Sequence, residues 1–266
     1  MRQDNPKLIA LDIDGTIIDK QAGVRVHKKV RAAVREAREA GNKVCLCSAR
    51  PGYYMQDATE GLDEVDAVIG CSGALIEIGG EVIYKNPLRL PILLACFEVA
   101  RKLDTYFSFS GDEHIYVCKK GPVSPPLENG SVFVIMDDDE LLKTLREKNM
   151  YCSYIFTKKG VTKKDLFRDA AFETAAIHKS SQNSFDLVNM ETSKGTGVLL
   201  LAERWGIPRE AIIAIGNDEN DIPMFEAAGT GVAVANANKE VIAAADWVAP
   251  GVRQGGAAEA IRRFAL

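Results

Sequence analysis

The chain has 266 residues, 47% hydrophobic and 26% charged, with a formal net charge of −4. That is the balance of a globular protein with one large or two modest cores, and it supplies no basic footprint for nucleic acid. No apolar run reaches the length of a membrane span and the opening MRQDNPK has no signal-peptide core, so a cytoplasmic protein without membrane or nucleic-acid partners is expected.

"KLIALDIDGTIIDK" (7–20) opens with an apolar run that predicts a buried parallel strand over 7–13. "HKKVRAAVREAREAG" (27–41) has helical apolar spacing and a glycine stop. "KVCLCSA" (43–49) is a second strand, and Pro51 predicts a helix through about residue 62. Residues 66–85 read as a buried strand followed by a hairpin turning at Gly79-Gly80. The pattern then changes. A helix over 91–103 precedes two alternating strands around Gly111-Asp112, a loop over 122–130 and a strand over 131–136. A helix follows over 138–148, with single strands over 151–156 and 175–189. The strand–helix alternation resumes with the helix of "SKGTGVLLLAERWGI", the strand and loop of "AIIAIGNDENDIPMF", and the strand of "GVAVANA". An interrupted alternation implies an α/β core of Rossmann-like, doubly wound type over 1–85 and 189–266, with an inserted α+β domain over 86–188.

Six cysteines lie mostly in apolar runs and read as buried reduced thiols; three histidines are too few and too scattered for a histidine metal centre. Asp137-Asp138-Asp139 precedes a helix and reads as capping.

The chemistry gathers at strand ends. Asp12 and Asp14 follow the first apolar run, and two adjacent carboxylates repel unless a cation neutralises them or one is protonated. A hard cation such as Mg²⁺ suits that oxygen pair. A second acidic cluster, Asn217-Asp218-Glu219-Asn220-Asp221, follows another apolar strand and is richer than a helix cap requires. Ser48 ends the second strand, where a hydroxyl or N–H can hold a phosphoryl oxygen. Lys194 opens a helix, near a dipole end that favours anions. Arg50 could meet either substrate or an acidic neighbour.

These four elements, in this order, resemble the haloacid dehalogenase-like phosphohydrolases, in the Cof-like branch with a large α/β cap. "LDIDGT" matches the family's first motif, "CSAR" the second, "SKGTGVLLLAERWGI" the third and "GNDENDIPMF" the fourth; "GVAVANANKEVIAAADWVAP" is similar to its closing stretch. The resemblance implies that Asp12 is a nucleophile forming an aspartyl-phosphate, and that Asp14 is the general acid and then base. It implies phosphate or substrate binding by Ser48, Ala49, Arg50, Lys194 and Asn220. Mg²⁺ would be held by Asp12, Asp14 through its carbonyl, and the fourth-motif residues Asn217, Asp218 and Asp221. Two positions depart from the family pattern: Asn217 stands where aspartate is common, and Ala49 where glycine is usual. The expected activity is Mg²⁺-dependent hydrolysis of a small phosphorylated metabolite, a sugar phosphate or similar phosphomonoester. A phosphomutase or phosphotransferase with the same intermediate and a non-catalytic metabolite-binding protein are the alternatives.

Overall fold

The computed structural model describes residues 5–19, 25–55, 59–62, 65–103, 106–118, 132–157, 161–181 and 183–266. The chain divides into two compact units, Met1–Tyr84 with Ser193–Leu266, and Lys85–Thr192 between them. In chain order the first unit holds β1 (Leu8–Asp12), α1 (Lys28–Glu39), β2 (Lys43–Cys47), β3 (Ala67–Gly70), β4 (Leu75–Ile78) and β5 (Glu81–Lys85). The second holds α2 (Leu90–Leu103), β6 (Tyr106–Ser110), β7 (Ile115–Cys118), β8 (Phe133–Met136), α3 (Asp138–Glu147), β9 (Cys152–Phe156), α4 (Lys163–Leu166), β10 (Ala175–Ser181) and β11 (Ser184–Asn189). The first unit then resumes with α5 (Lys194–Trp205), β12 (Ile212–Gly216), α6 (Ile222–Ala227), β13 (Thr230–Val234), α7 (Lys239–Ala244), β14 (Trp247–Ala249) and α8 (Gly256–Ala265).

The first unit is a Rossmann-like α/β layer structure. Its sheet runs β14-β13-β12-β1-β2-β3-β4-β5. The strands from β14 to β3 pair in parallel, and β4 joins antiparallel. Alternation along β1 sends Ile9 and Leu11 to one face, against Val30, Ala33, Val34 and Ala37 of α1 and Ala257 and Ile261 of α8. Leu8 and Ala10 face the other way, onto Val198 and Leu201 of α5 and Met224 of α6. Covered on both faces, β1 is apolar until its last residue, which explains the unbroken hydrophobic run. Strand order reverses at β1: the chain proceeds to β2 and β3 on one side and returns to β12, β13 and β14 on the other. The crevice beyond the carboxyl ends of β1 and β12 is therefore the topological switch point.

The second unit is α+β, with sheet order β10-β11-β9-β6-β7-β8. Every pairing is antiparallel except β7 with β8. Phe107, Phe109, Ile155 and Leu187 project onto Ile92, Leu93 and Phe97 of α2 and Leu141 and Leu145 of α3. The intervening residues belong to the opposite face, where Ser108, Tyr154, Asp186 and His178 lie in one cross-strand row. A capping box between Asp137 and Glu140 starts α3, as the acidic run suggests.

Two local expectations need revision. After Pro51 the described residues form only a short 3-10 turn, Gly52–Tyr54. The rest of the expected helix, to 62, lies partly outside the described residues, with Met55 and Leu62 on either side of that gap buried in the core. The single strand over 175–189 is a hairpin, β10 and β11, closing between Ser181 and Ser184. Strand propensity is similar on both sides of that turn, so periodicity did not reveal it. At Gly79-Gly80 the expected turn is present, with φ +60° and +82°, the left-handed pair that a two-residue hairpin requires. The expected loop over 122–130 lies outside the described residues. No described helix is long and apolar enough to cross a membrane.

Candidate active site

The carboxyl ends of β1, β2 and β12 and the start of α5 meet at the switch point. Asp12, the last residue of β1, is only 5% exposed. Its Oδ1 accepts from Lys194 Nζ at 2.6 Å, and the same ammonium donates to Asp221 Oδ1 at 2.6 Å. Lys194 is 1% exposed and Asp221 fully buried, so the three charges form a closed cluster. Ser193 caps α5, its hydroxyl accepting from the Thr196 N–H, and this fixes the first turn from which Lys194 projects.

Burial pushes the Asp12 carboxyl from its ordinary 3.8 up to about 7, with Asp221 adding to the rise and Lys194 opposing it. One ammonium shared between two carboxylates does not restore Asp12 to the usual range. For Lys194, burial works against the charged form, but Asp12 and Asp221 together hold the ammonium well above its ordinary value.

Asp221 also organises the loop after β12. Its Oδ2 accepts from the main-chain N–H groups of Asn217 (2.8 Å) and Asp218 (3.0 Å). Asp218 Oδ1 accepts from the Glu219 N–H, and burial, with Asp221 adding, pushes the Asp218 carboxyl upward. Asn220 is buried, with an Oδ1 that meets no protein donor.

The fourth-motif loop approaches β1 through Asn217. The inward end of its side-chain amide lies 2.8 Å from Thr16 Oγ1 and 3.0 Å from both Asp12 Oδ2 and the Asp14 main-chain oxygen. Gly15, at φ +92°, permits this approach: a Cβ there would sit 2.6 Å from the outer end of the amide. A carboxylate oxygen, a carbonyl and an amide oxygen thus converge. Neighbouring corners of an Mg²⁺ octahedron with bonds of about 2.1 Å also lie about 3.0 Å apart, so these oxygens fit that ion. Among the described residues no three His, Cys, Asp or Glu side chains gather for a metal, so main-chain and amide oxygens are essential to the set.

On the other flank Arg50 grips Asp14 bidentately, Nε to Oδ2 at 2.8 Å and Nη2 to Oδ1 at 2.7 Å. Of the two partners open to Arg50, the structure shows the acidic neighbour. The Arg50 guanidinium also stacks 5.2 Å from the Tyr54 ring centroid. Ser48 is buried and its Oγ accepts from the Arg50 N–H, while Ala49 between them is half-buried. A cavity of about 800 Å³ adjoins Asp14, with Gly15, Asp19, Asn236, Arg253 and Gln254 among its walls.

Some supporting groups carried no strong sequence signal. Thr16 holds the Asn217 amide, and Asn236 bridges the Gly15 carbonyl and the Val252 N–H. The left-handed residues Cys71 and Ser72 donate their N–H groups to the carbonyls of Arg50 and Ser48, bracing the second-motif loop. Thr16 lies within the first motif; Asn236, Cys71 and Ser72 brace the site through chain-distant partners, which a single sequence does not display.

With this geometry in view, the relationships of the chain are informative. Residues 9–261 match the model of the haloacid dehalogenase-like hydrolase family. A phosphoglycolate phosphatase of Methanothermobacter thermautotrophicus is 30% identical, across 97% of this chain and 98% of its own. The YxeH protein of Bacillus subtilis (strain 168) is 29% identical, over 98% of both chains. Among solved structures, the subclass IIB sugar phosphatase BT4131 shares the fold, with a TM-score of 0.82 over 97% of this chain and 98% of its own, at 23% identity. A family match spanning both segments of the first unit and the inserted one leaves one assignment: the chain belongs to the haloacid dehalogenase-like hydrolases.

Proposed function

We propose that this protein is a phosphoric monoester hydrolase that cleaves a small phosphorylated metabolite, a sugar phosphate or similar phosphomonoester, through an aspartyl-phosphate on Asp12. The observation that carries the reading is the Asp12 carboxylate, fixed at the switch point with one oxygen on Lys194 and the other 3.0 Å from the Asn217 amide, which lies equally near the Asp14 carbonyl. Relatives named as phosphatases along the whole chain support the reaction class.

Asp12 is the nucleophile, and Lys194 offsets charge that accumulates on it and on the phosphoryl oxygens. Asp12, the Asp14 carbonyl and Asn217 would hold Mg²⁺, with Asp218 adding negative charge nearby and Asp221 fixing the loop. When bound, the ion neutralises the phosphoryl oxygens and keeps the nucleophile ionised. Ser48, the Ala49 main-chain N–H and the side-chain NH₂ of Asn220 donate to phosphoryl oxygens. Asp14 gives a proton to the leaving oxygen and later takes one from water. Both Asp14 oxygens accept from Arg50, so proton delivery requires at least one of those bonds to open, which frees Arg50 for the substrate. The cavity beside Asp14 has the volume of a small-metabolite site. By the family resemblance, the inserted unit would be the part of the chain that sets substrate choice.

The test is phosphate release from a panel of phosphomonoesters, with Mg²⁺ and with chelator, for wild type and Asp12→Asn. Release stoichiometric with ester loss, dependent on Mg²⁺ and abolished by Asp12→Asn, is expected. Ester consumption without matching free phosphate would replace the reading by a phosphotransferase.

A further inference from the structure

We propose that Asn217 is a reversible latch: with its amide nitrogen turned inward it takes the place of the metal ion, and with its oxygen inward it is a metal ligand. The latch rests on the Mg²⁺ site proposed above. Three oxygens surround the inward end of this amide, Thr16 Oγ1 at 2.8 Å and Asp12 Oδ2 and the Asp14 carbonyl at 3.0 Å. With nitrogen inward, its two N–H groups donate to two of these three oxygens. With oxygen inward, Thr16 donates to it, and Asp12 Oδ2 and the Asp14 carbonyl face a third oxygen, an arrangement that a cation stabilises. The two states differ by a half-turn of a planar group whose ends are nearly the same size. The main chain need not move, because Asp221 fixes the Asn217 N–H and bare Gly15 leaves room beside the amide.

Aspartate at this position could ligate but never donate. Without metal it would set a second carboxylate about 3 Å from Asp12, a repulsion that is relieved by protonation or a cation. Asparagine therefore trades metal affinity for a metal-free state that is internally hydrogen-bonded.

The experiment compares the full-length wild type with Asn217→Asp by thermal unfolding in EDTA and along a Mg²⁺ titration, by calorimetry of Mg²⁺ binding, and by the side-chain ¹⁵NH₂ resonances of Asn217. In EDTA the variant should unfold at a lower temperature than wild type, and saturating Mg²⁺ should close or reverse the gap. The variant should bind Mg²⁺ about tenfold or more tightly, since affinity follows ligand charge. In wild type the Asn217 ¹⁵NH₂ pair should move when Mg²⁺ binds, as its donors leave Asp12 and Asp14; this readout stands even if the variant does not fold in EDTA. Mg²⁺ binding by both proteins with equal midpoints in EDTA, or wild-type resonances that stay put at saturation, would overturn the latch alone. No Mg²⁺ binding by either protein would overturn the metal site and the latch with it.

Discussion

The two sheets bury their apolar residues in different ways, and the difference decides where polar chemistry stands out. In the first unit, parallel strands such as β1 and β12 are covered on both faces, and β1 stays apolar until its last residue. Polar residues are driven to the strand ends, and there they form the site. In the second unit, antiparallel strands cover one face with α2 and α3 and carry polar residues on the other, so Ser108, Tyr154 and Asp186 sit in mid-strand. A polar residue at the end of an apolar strand is conspicuous, whereas one in an alternating strand looks like any solvated position. The first unit also concentrates its charge in one buried ion-paired cluster, Asp12, Lys194 and Asp221, while the second buries the Asp186 carboxyl and the hydroxyls of Ser153 and Ser184 along its strands.

That contrast can be broken by substitution. The largest effect is expected from Lys194→Met, which removes the single cation between two buried carboxylates. Stability should fall by about 3–5 kcal/mol, as when one partner of a buried pair is lost. Turnover should fall by about 100-fold or more, as for loss of a preorganised charge. Denaturant melts and steady-state phosphate release check both, and a variant as stable as wild type would show that the cluster is not closed. Next is Leu187→Ala, a fully buried side chain in the second unit, which should cost about 2–5 kcal/mol. Calorimetry should show the loss in the transition of that unit while Mg²⁺ affinity stays within about twofold. A changed Mg²⁺ affinity would mean that the two units are not separate in energy.

A further effect is a pH dependence. The folded Asp12 carboxyl lies at about 7, above its ordinary 3.8, so the native protein binds the extra proton between those values. Its contribution to stability is fully present below about 3.8 and is lost as pH rises through about 7. In chelator, the stability difference between wild type and Asp12→Asn should therefore move in that direction across pH 4–7. A flat difference would place the Asp12 carboxyl near its ordinary value.

Much of the fold and site could be read from particular residues. The runs before Asp12, Ser48 and Asn217 predict strands because a doubly covered strand has no polar face, and the clusters after them mark where those strands end. Gly79-Gly80 shows its turn because few residues other than glycine adopt two left-handed conformations in succession. The 175–189 hairpin escaped because nothing in its turn demands a special backbone. The partner of Arg50 stayed open because Asp14 is 36 positions away and a salt bridge leaves no periodic trace.

By itself, then, the sequence determined the strand-end placement of Asp12, Asp14, Ser48 and Asn217, since local burial dictates where carboxylates and hydroxyls can stand. Only the tertiary structure decided which of them meet. Lys194 reaches Asp12 across 182 positions, and the Asn217 amide reaches the first-motif loop because β12 pairs beside β1 and Gly15 has no side chain to block it. Those meetings depend on strand order and on ångström-scale clearance, which are set by packing among distant segments rather than by any residue's own neighbours.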